Sequence, residues 1–95
     1  MYGTVARIRV KAGMEQQLTE VSRQIGVGKA EGQVGVFVYQ MDSDPQEFYM
    51  VALFQSREAY HTNAANPTQH ERFMKLMTLL EREPEWHDGE VIYST

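Results

Sequence analysis

The chain contains no cysteine. That absence excludes disulfide staples, cysteine-ligated iron–sulfur clusters and thiol nucleophiles, and it fits a reducing compartment. No apolar run approaches the roughly 18–20 residues of a membrane-spanning helix, so no membrane partner is expected. Basic residues are short: Lys and Arg number 9 against 13 Asp and Glu, a net charge of −4. An acidic domain grips phosphate backbones poorly, and the basic, aromatic strand motif of RNA-binding domains is missing, so no nucleic-acid partner is expected. Met1-Tyr2-Gly3-Thr4 shows no basic segment leading into an apolar one. No signal peptide is predicted, and the expected location is cytoplasmic. The 3 histidines lack close pairing and predict no metal site. The glycines between Gly26 and Gly32 follow a helix and precede a strand, the reverse of a phosphate-cradling loop. There is no Gly-x-Ser-x-Gly nucleophile elbow.

What remains is one domain's worth of chain, residues 1–95. A domain this small is modestly stable alone, and without disulfides the open route to reinforcement is oligomerisation. Tyr2 to Val10 reads as a strand with Thr4, Ala6, Ile8 and Val10 on one face and Val5, Arg7 and Arg9 on the other. Lys11-Ala12-Gly13 is a turn. Met14, Leu18, Val21 and Ile25 recur at helical spacing, and Gly26 and Gly28 supply a stop. Val34 to Met41 and Glu47 to Gln55 read as strands joined by Asp42-Ser43-Asp44-Pro45. Ser56 is placed to cap a short helix running to about Asn63. Asn66 is placed to cap another, with Pro67 first and Gln69 third. His70, Phe73, Met77 and Leu80 form its stripe, Pro84 ends it, and Gly89 to Tyr93 is a last strand. The order β-α-β-β-α-β predicts an α+β, ferredoxin-like fold with an antiparallel sheet.

The strands carry apolar residues on both faces. Val34, Val36 and Val38 oppose Phe37, Tyr39 and Met41; Phe48, Met50, Ala52 and Phe54 oppose Tyr49, Val51 and Leu53. Two helices cover one face. The uncovered face predicts a homodimer in which two sheets meet, forming a dimeric α+β barrel. Arg7 and Arg9 on that face are expected to pair with carboxylates across the dimer, with anion binding as the alternative.

Val5-Ala6-Arg7-Ile8-Arg9-Val10-Lys11-Ala12-Gly13 resembles the opening strand and glycine turn of the antibiotic biosynthesis monooxygenase family. Glu31-Gly32 resembles its glycine before the second strand, Phe54-Gln55-Ser56-Arg57-Glu58-Ala59-Tyr60 its passage into the following helix, and Asn66-Pro67 its small-residue-Pro step. The resemblance covers nearly the whole chain as an ordered set of loose motifs. It implies a dimeric α+β barrel with a pocket between sheet and helices. The family includes cofactor-free oxygenases of aromatic phenols and quinols, haem-degrading enzymes, and proteins acting on small signalling molecules. Many members are similar except for a His where Asn63 stands and a Glu where Ala52 stands. A polyketide-oxidising branch has Asn in a context similar to Tyr60-His61-Thr62-Asn63. The haem-degrading set, Asn on the first strand with Trp and His on the helices, is met here by Ala6, Asn63 and Phe73, which argues against haem degradation.

The candidate catalytic residues are Asn63 and His70. An Asn facing a cavity can hold a substrate oxygen or developing oxyanion; the plainer role is to tie a helix end. An imidazole on the inner stripe can take a phenolic proton; the plainer role is a core His bonded to a carbonyl. Tyr49, Tyr60, Phe54, Phe73, Met77 and Trp86 are expected to line a pocket for an apolar or aromatic small molecule, with Tyr49 or Tyr60 as a helper; the plainer role is ordinary core and interface. His61 and His87 are expected at the surface. The expected activity is a cofactor-independent monooxygenation of a phenol or quinol, with no cofactor. The alternatives are a non-catalytic ligand- or partner-binding dimer and an isomerase-type enzyme on a small metabolite.

Overall fold

The computed structural model describes residues 1–27 and 31–95. Its elements in chain order are β1 (Tyr2–Arg9), α1 (Glu15–Val27), β2 (Gln33–Met41), β3 (Asp44–Phe54), α2 (Arg57–Ala64), α3 (Pro67–Met77) and β4 (Glu85–Glu90). The strands form one four-stranded sheet in the order β2-β3-β1-β4. Every pairing is antiparallel. This is the ferredoxin-like α+β fold, with β1 and β3 as the inner strands.

Local chemistry sets most boundaries. Gly13 and Gly32 take φ of +85° and +78° at the turns leading into α1 and β2, a region costly for any residue with a Cβ. The Ser56 Oγ accepts from the Ala59 N–H, and Asn66 Oδ1 accepts from the Thr68 N–H, so both expected caps form. Pro67 opens α3, where its missing N–H is harmless. The hairpin turn is tighter than its sequence suggests: Met41 pairs directly with Asp44, so only Asp42 and Ser43 bridge the strands.

Three expectations are corrected. Pro84 does not end α3; the helix stops at Met77. Its end is set by β1, because Lys11 N–H bonds Leu79 O, Glu81 N–H bonds Arg9 O, and Val10 bridges Leu80. Leu80 is therefore in the core but off the helix. The last strand is Glu85–Glu90, not Gly89–Tyr93. It is exposed throughout and Trp86 is its one large apolar residue, so it carries no alternation to read; backbone pairing with β1 makes it a strand. Finally, α1 runs through Gly26 to Val27, and Gly28, the other expected stop, lies outside the described residues.

The inner face of the sheet is divided. Toward the C-terminal end of β1, Ala6, Ile8 and Val10 pack with Leu18 of α1, Phe48 of β3, Leu76 of α3, and Leu79 and Leu80 beyond it, all buried. Met14, Val21, Met50 and Met77 close around this cluster. Toward the N-terminal end of β1, the same face is hollow.

The outer face is apolar and uncovered. One rung reads Phe37–Val51–Val5 and the next Tyr39–Tyr49–Arg7. Val5, Phe37 and Tyr39 are 42%, 55% and 53% exposed. The arginines on this face are paired within the protomer. Arg7 holds the buried Glu47. Arg9 reaches Asp44 at 2.7 Å, Glu81 at 3.1 Å and Glu47 at 3.4 Å. The Arg9 hydrogen bond, helped by the Gln46 N–H, holds the Asp44 carboxyl below the usual carboxylate range.

Candidate active site

The hollow end of the inner face is a cavity of about 410 Å³. Its floor is the sheet, where the rungs Val36–Ala52–Thr4–Asp88 and Met50–Ala6–Trp86 follow from the strand register. Tyr60, Asn63 and Ala64 of α2 and Gln69, His70 and Phe73 of α3 form the far wall. The break at Asn66-Pro67 matters here. It lets two short helices, instead of one straight rod, present side chains to the same space.

Six of the eight expected site residues meet at this cavity: Asn63, His70, Tyr60, Phe54, Phe73 and Trp86. The Asn63 side chain has no hydrogen bond to the described residues, and the cap at each end of α2 is made by other groups. His70 is exposed at the wall, and its ring makes no hydrogen bond with the described residues. Phe73 packs on Trp86 at 5.9 Å between ring centroids. His61 and His87 are exposed, as expected. His61 still stacks on Tyr60, and His87 pairs with Glu85.

Tyr49 and Met77 do not belong to the cavity. A strand alternates at a period of two, so Tyr49 lies on the opposite face from Phe48 and Met50, beside Tyr39 and Arg7. Met77 shares the helical stripe of His70, but seven residues advance about 10.5 Å along an α-helix. That distance carries it out of the hollow and onto the packed cluster.

Several wall residues had not been singled out: Thr4, Gln33, Gln69 and Asp88. Gln69, third in the helix that Asn66 caps, lines the cavity. Asp88 lies in β4, which begins at Glu85, four residues ahead of Gly89, where the sequence pattern starts that strand. Its link to Tyr60 is invisible in sequence because the residues are separated by 28 positions.

Tyr60 is the most perturbed group. Its ring stacks edge-on with Tyr2 at 5.4 Å and with Phe54 at 5.6 Å, and its hydroxyl donates to Asp88 Oδ1 at 2.9 Å. Burial first, then the hydrogen bond and charge of Asp88, push the Tyr60 hydroxyl up to about 12. The group is therefore a donor across the physiological range. The folded state holds this proton more tightly than an unfolded chain with a tyrosine pKa of about 10. Its contribution to stability is thus complete below about pH 10 and lost as pH rises toward about 12. Wild-type melting temperature is expected to fall more steeply than that of Tyr60→Phe between those limits. Parallel thermal melts check this, and equal slopes would contradict it.

Fold and cavity together define a ferredoxin-like α+β domain with a hollow between sheet and helices. The sequence matches the model of the antibiotic biosynthesis monooxygenase family over residues 1–76. The chain belongs to that family. No curated protein matches the sequence. Among solved structures, the chain is similar to SnoaB, a cofactor-independent oxygenase from Streptomyces nogalater crystallised as an Asn-to-Ala variant. The TM-score is 0.86 at 15% identity, covering 98% of this chain and 94% of that one. A candidate antibiotic biosynthesis monooxygenase from Deinococcus radiodurans gives 0.84 at 17% identity, covering 100% and 96%. A conserved protein from Methanosarcina mazei gives 0.81 at 21% identity, covering 93% and 89%. No helix among the described residues is long and apolar enough to cross a membrane.

Proposed function

We propose that this protein is a cofactor-independent monooxygenase of an aromatic phenol or quinol, working as a homodimer of one 95-residue domain. The observation that carries the reading is the open, largely apolar cavity whose wall brings Asn63 and His70 together, in a chain of this family. SnoaB, with a similar fold, is a cofactor-independent oxygenase, and its crystallised variant replaces an asparagine. In such chemistry the deprotonated substrate supplies the electrons to O₂; one oxygen atom enters the product and the other leaves as water. The protein supplies enclosure, orientation and proton handling. His70 takes the phenolic proton, Asn63 holds the resulting oxyanion through its amide N–H, and Tyr60 stays protonated as a donor.

The test is O₂ uptake with a panel of quinols, measured above autoxidation. Wild type is expected to show saturable uptake, and Asn63→Ala and His70→Ala are each expected to lose about 100-fold in kcat/KM. Equal rates in all three proteins would remove both residues from the mechanism. Ligand binding with no uptake would leave a binding protein.

A further inference from the structure

Among the described residues lining the cavity, Asp88 is the only carboxylate, and no lysine or arginine takes part. Tyr60 spends its one proton on Asp88 Oδ1. A carboxylate offers about four acceptor sites; Tyr60 takes one on Asp88, and Asp88 lines the cavity. Its position is fixed from two sides. Across the sheet it stands in register with Thr4, and from above it is held by Tyr60 of α2. Thr4 is 4% exposed, and its Oγ1 has no hydrogen-bond partner among the described residues. It lies near enough to the Tyr60 oxygen to favour that oxygen's charged form. This corner lies partly in β4, beyond the residues matched by the family.

We propose that Asp88 is a specificity-determining acceptor that anchors a neutral hydroxyl of the ligand, with Tyr60 and Thr4 as the residues that position it. The cavity then selects uncharged, hydroxylated aromatics and turns away aromatics bearing a carboxylate. Rejection has two causes: an anion would face the Asp88 charge, and no lysine or arginine among the described lining residues compensates it. This inference rests on the phenol or quinol reading of the cavity, and it adds which substituent is recognised and by which group.

Equilibrium dialysis under argon at neutral pH, with 1-naphthol, naphthalene and 1-naphthoate as probes, separates the possibilities. Wild type is expected to bind naphthol about tenfold more tightly than naphthalene, as befits a hydrogen bond to a charged group. Naphthoate is expected to bind most weakly. Asp88→Ala should bring naphthol to the level of naphthalene while naphthalene itself changes by less than about twofold, which also reports an intact cavity. Asp88→Asn should raise naphthoate affinity. Tyr60→Phe should lower the naphthol-to-naphthalene ratio, a selectivity that a purely structural tyrosine would not move. Equal wild-type affinities for naphthol and naphthalene, or a preference that survives Asp88→Ala, would overturn the anchor and leave the apolar cavity standing. Failure of all three probes to bind would overturn the cavity reading itself, and the anchor with it.

Discussion

Val51→Asp is expected to turn the proposed dimer into monomers. Val51 is the middle of the outer-face rung Phe37–Val51–Val5, flanked by Tyr49 and Leu53 on its own strand. If two such sheets meet about a two-fold axis, every substitution enters the interface twice. Burying an unpaired carboxylate there costs several kcal/mol, and Arg7, the cation on the next rung, is already committed to Glu47. The dissociation constant should rise by at least about 1,000-fold. Sedimentation at micromolar concentration should show a wild-type mass of two chains and a variant mass of one, with unchanged far-ultraviolet dichroism. A wild-type protein that sediments as a monomer would remove the dimer. The cavity opens on the other face, so its ligand affinity in the monomer would reveal whether the two faces communicate.

Leu18→Ala should be the most damaging core change. Leu18 is 1% exposed and is a fully buried contact between α1 and the cluster around Ile8 and Val10. Met14, just before α1, and Val21 within it are only half-buried. Truncation of a buried leucine leaves a hole that costs about 3 kcal/mol. A domain of this size has about 5–15 kcal/mol in total. Urea unfolding should show a lower midpoint at unchanged slope. A loss below about 1 kcal/mol would mean that α1 is held by something other than this plug.

The sequence made the element order legible because each early element carries a strong periodic signal. Thr4, Ala6, Ile8 and Val10 alternate, and all four are buried. Ser56 and Asn66 announce the helices they cap. The errors fall where tertiary pairing overrides local chemistry. The stretch Glu85–Glu90 is a strand without a strand-like sequence, and α3 stops for the sake of hydrogen bonds to β1. The site followed the same rule. Residues on helix stripes were found; Met77 was misplaced because a stripe fixes direction and leaves depth undetermined. Tyr49 was misplaced because aromatic character outweighed its parity on the strand. Asp88 and Thr4 were missed because their relation to Tyr60 exists only once β4 is laid beside β1.

The two ends of β1 live under different constraints. Around Ile8 the strand is clamped by helix and loop, and around Thr4 it borders empty space. A hollow forgoes the dispersion energy that a filled core would gain, so the clamped end must carry the molecule's resistance to heat. The consequence is a form of modularity inside a single small sheet. Changes at Trp86 or His70, both exposed, disturb little of what keeps the chain folded. Ligand preference can therefore drift under selection without a matching drift in thermal tolerance, and variants that retune the cavity are expected to be plentiful among those that still fold.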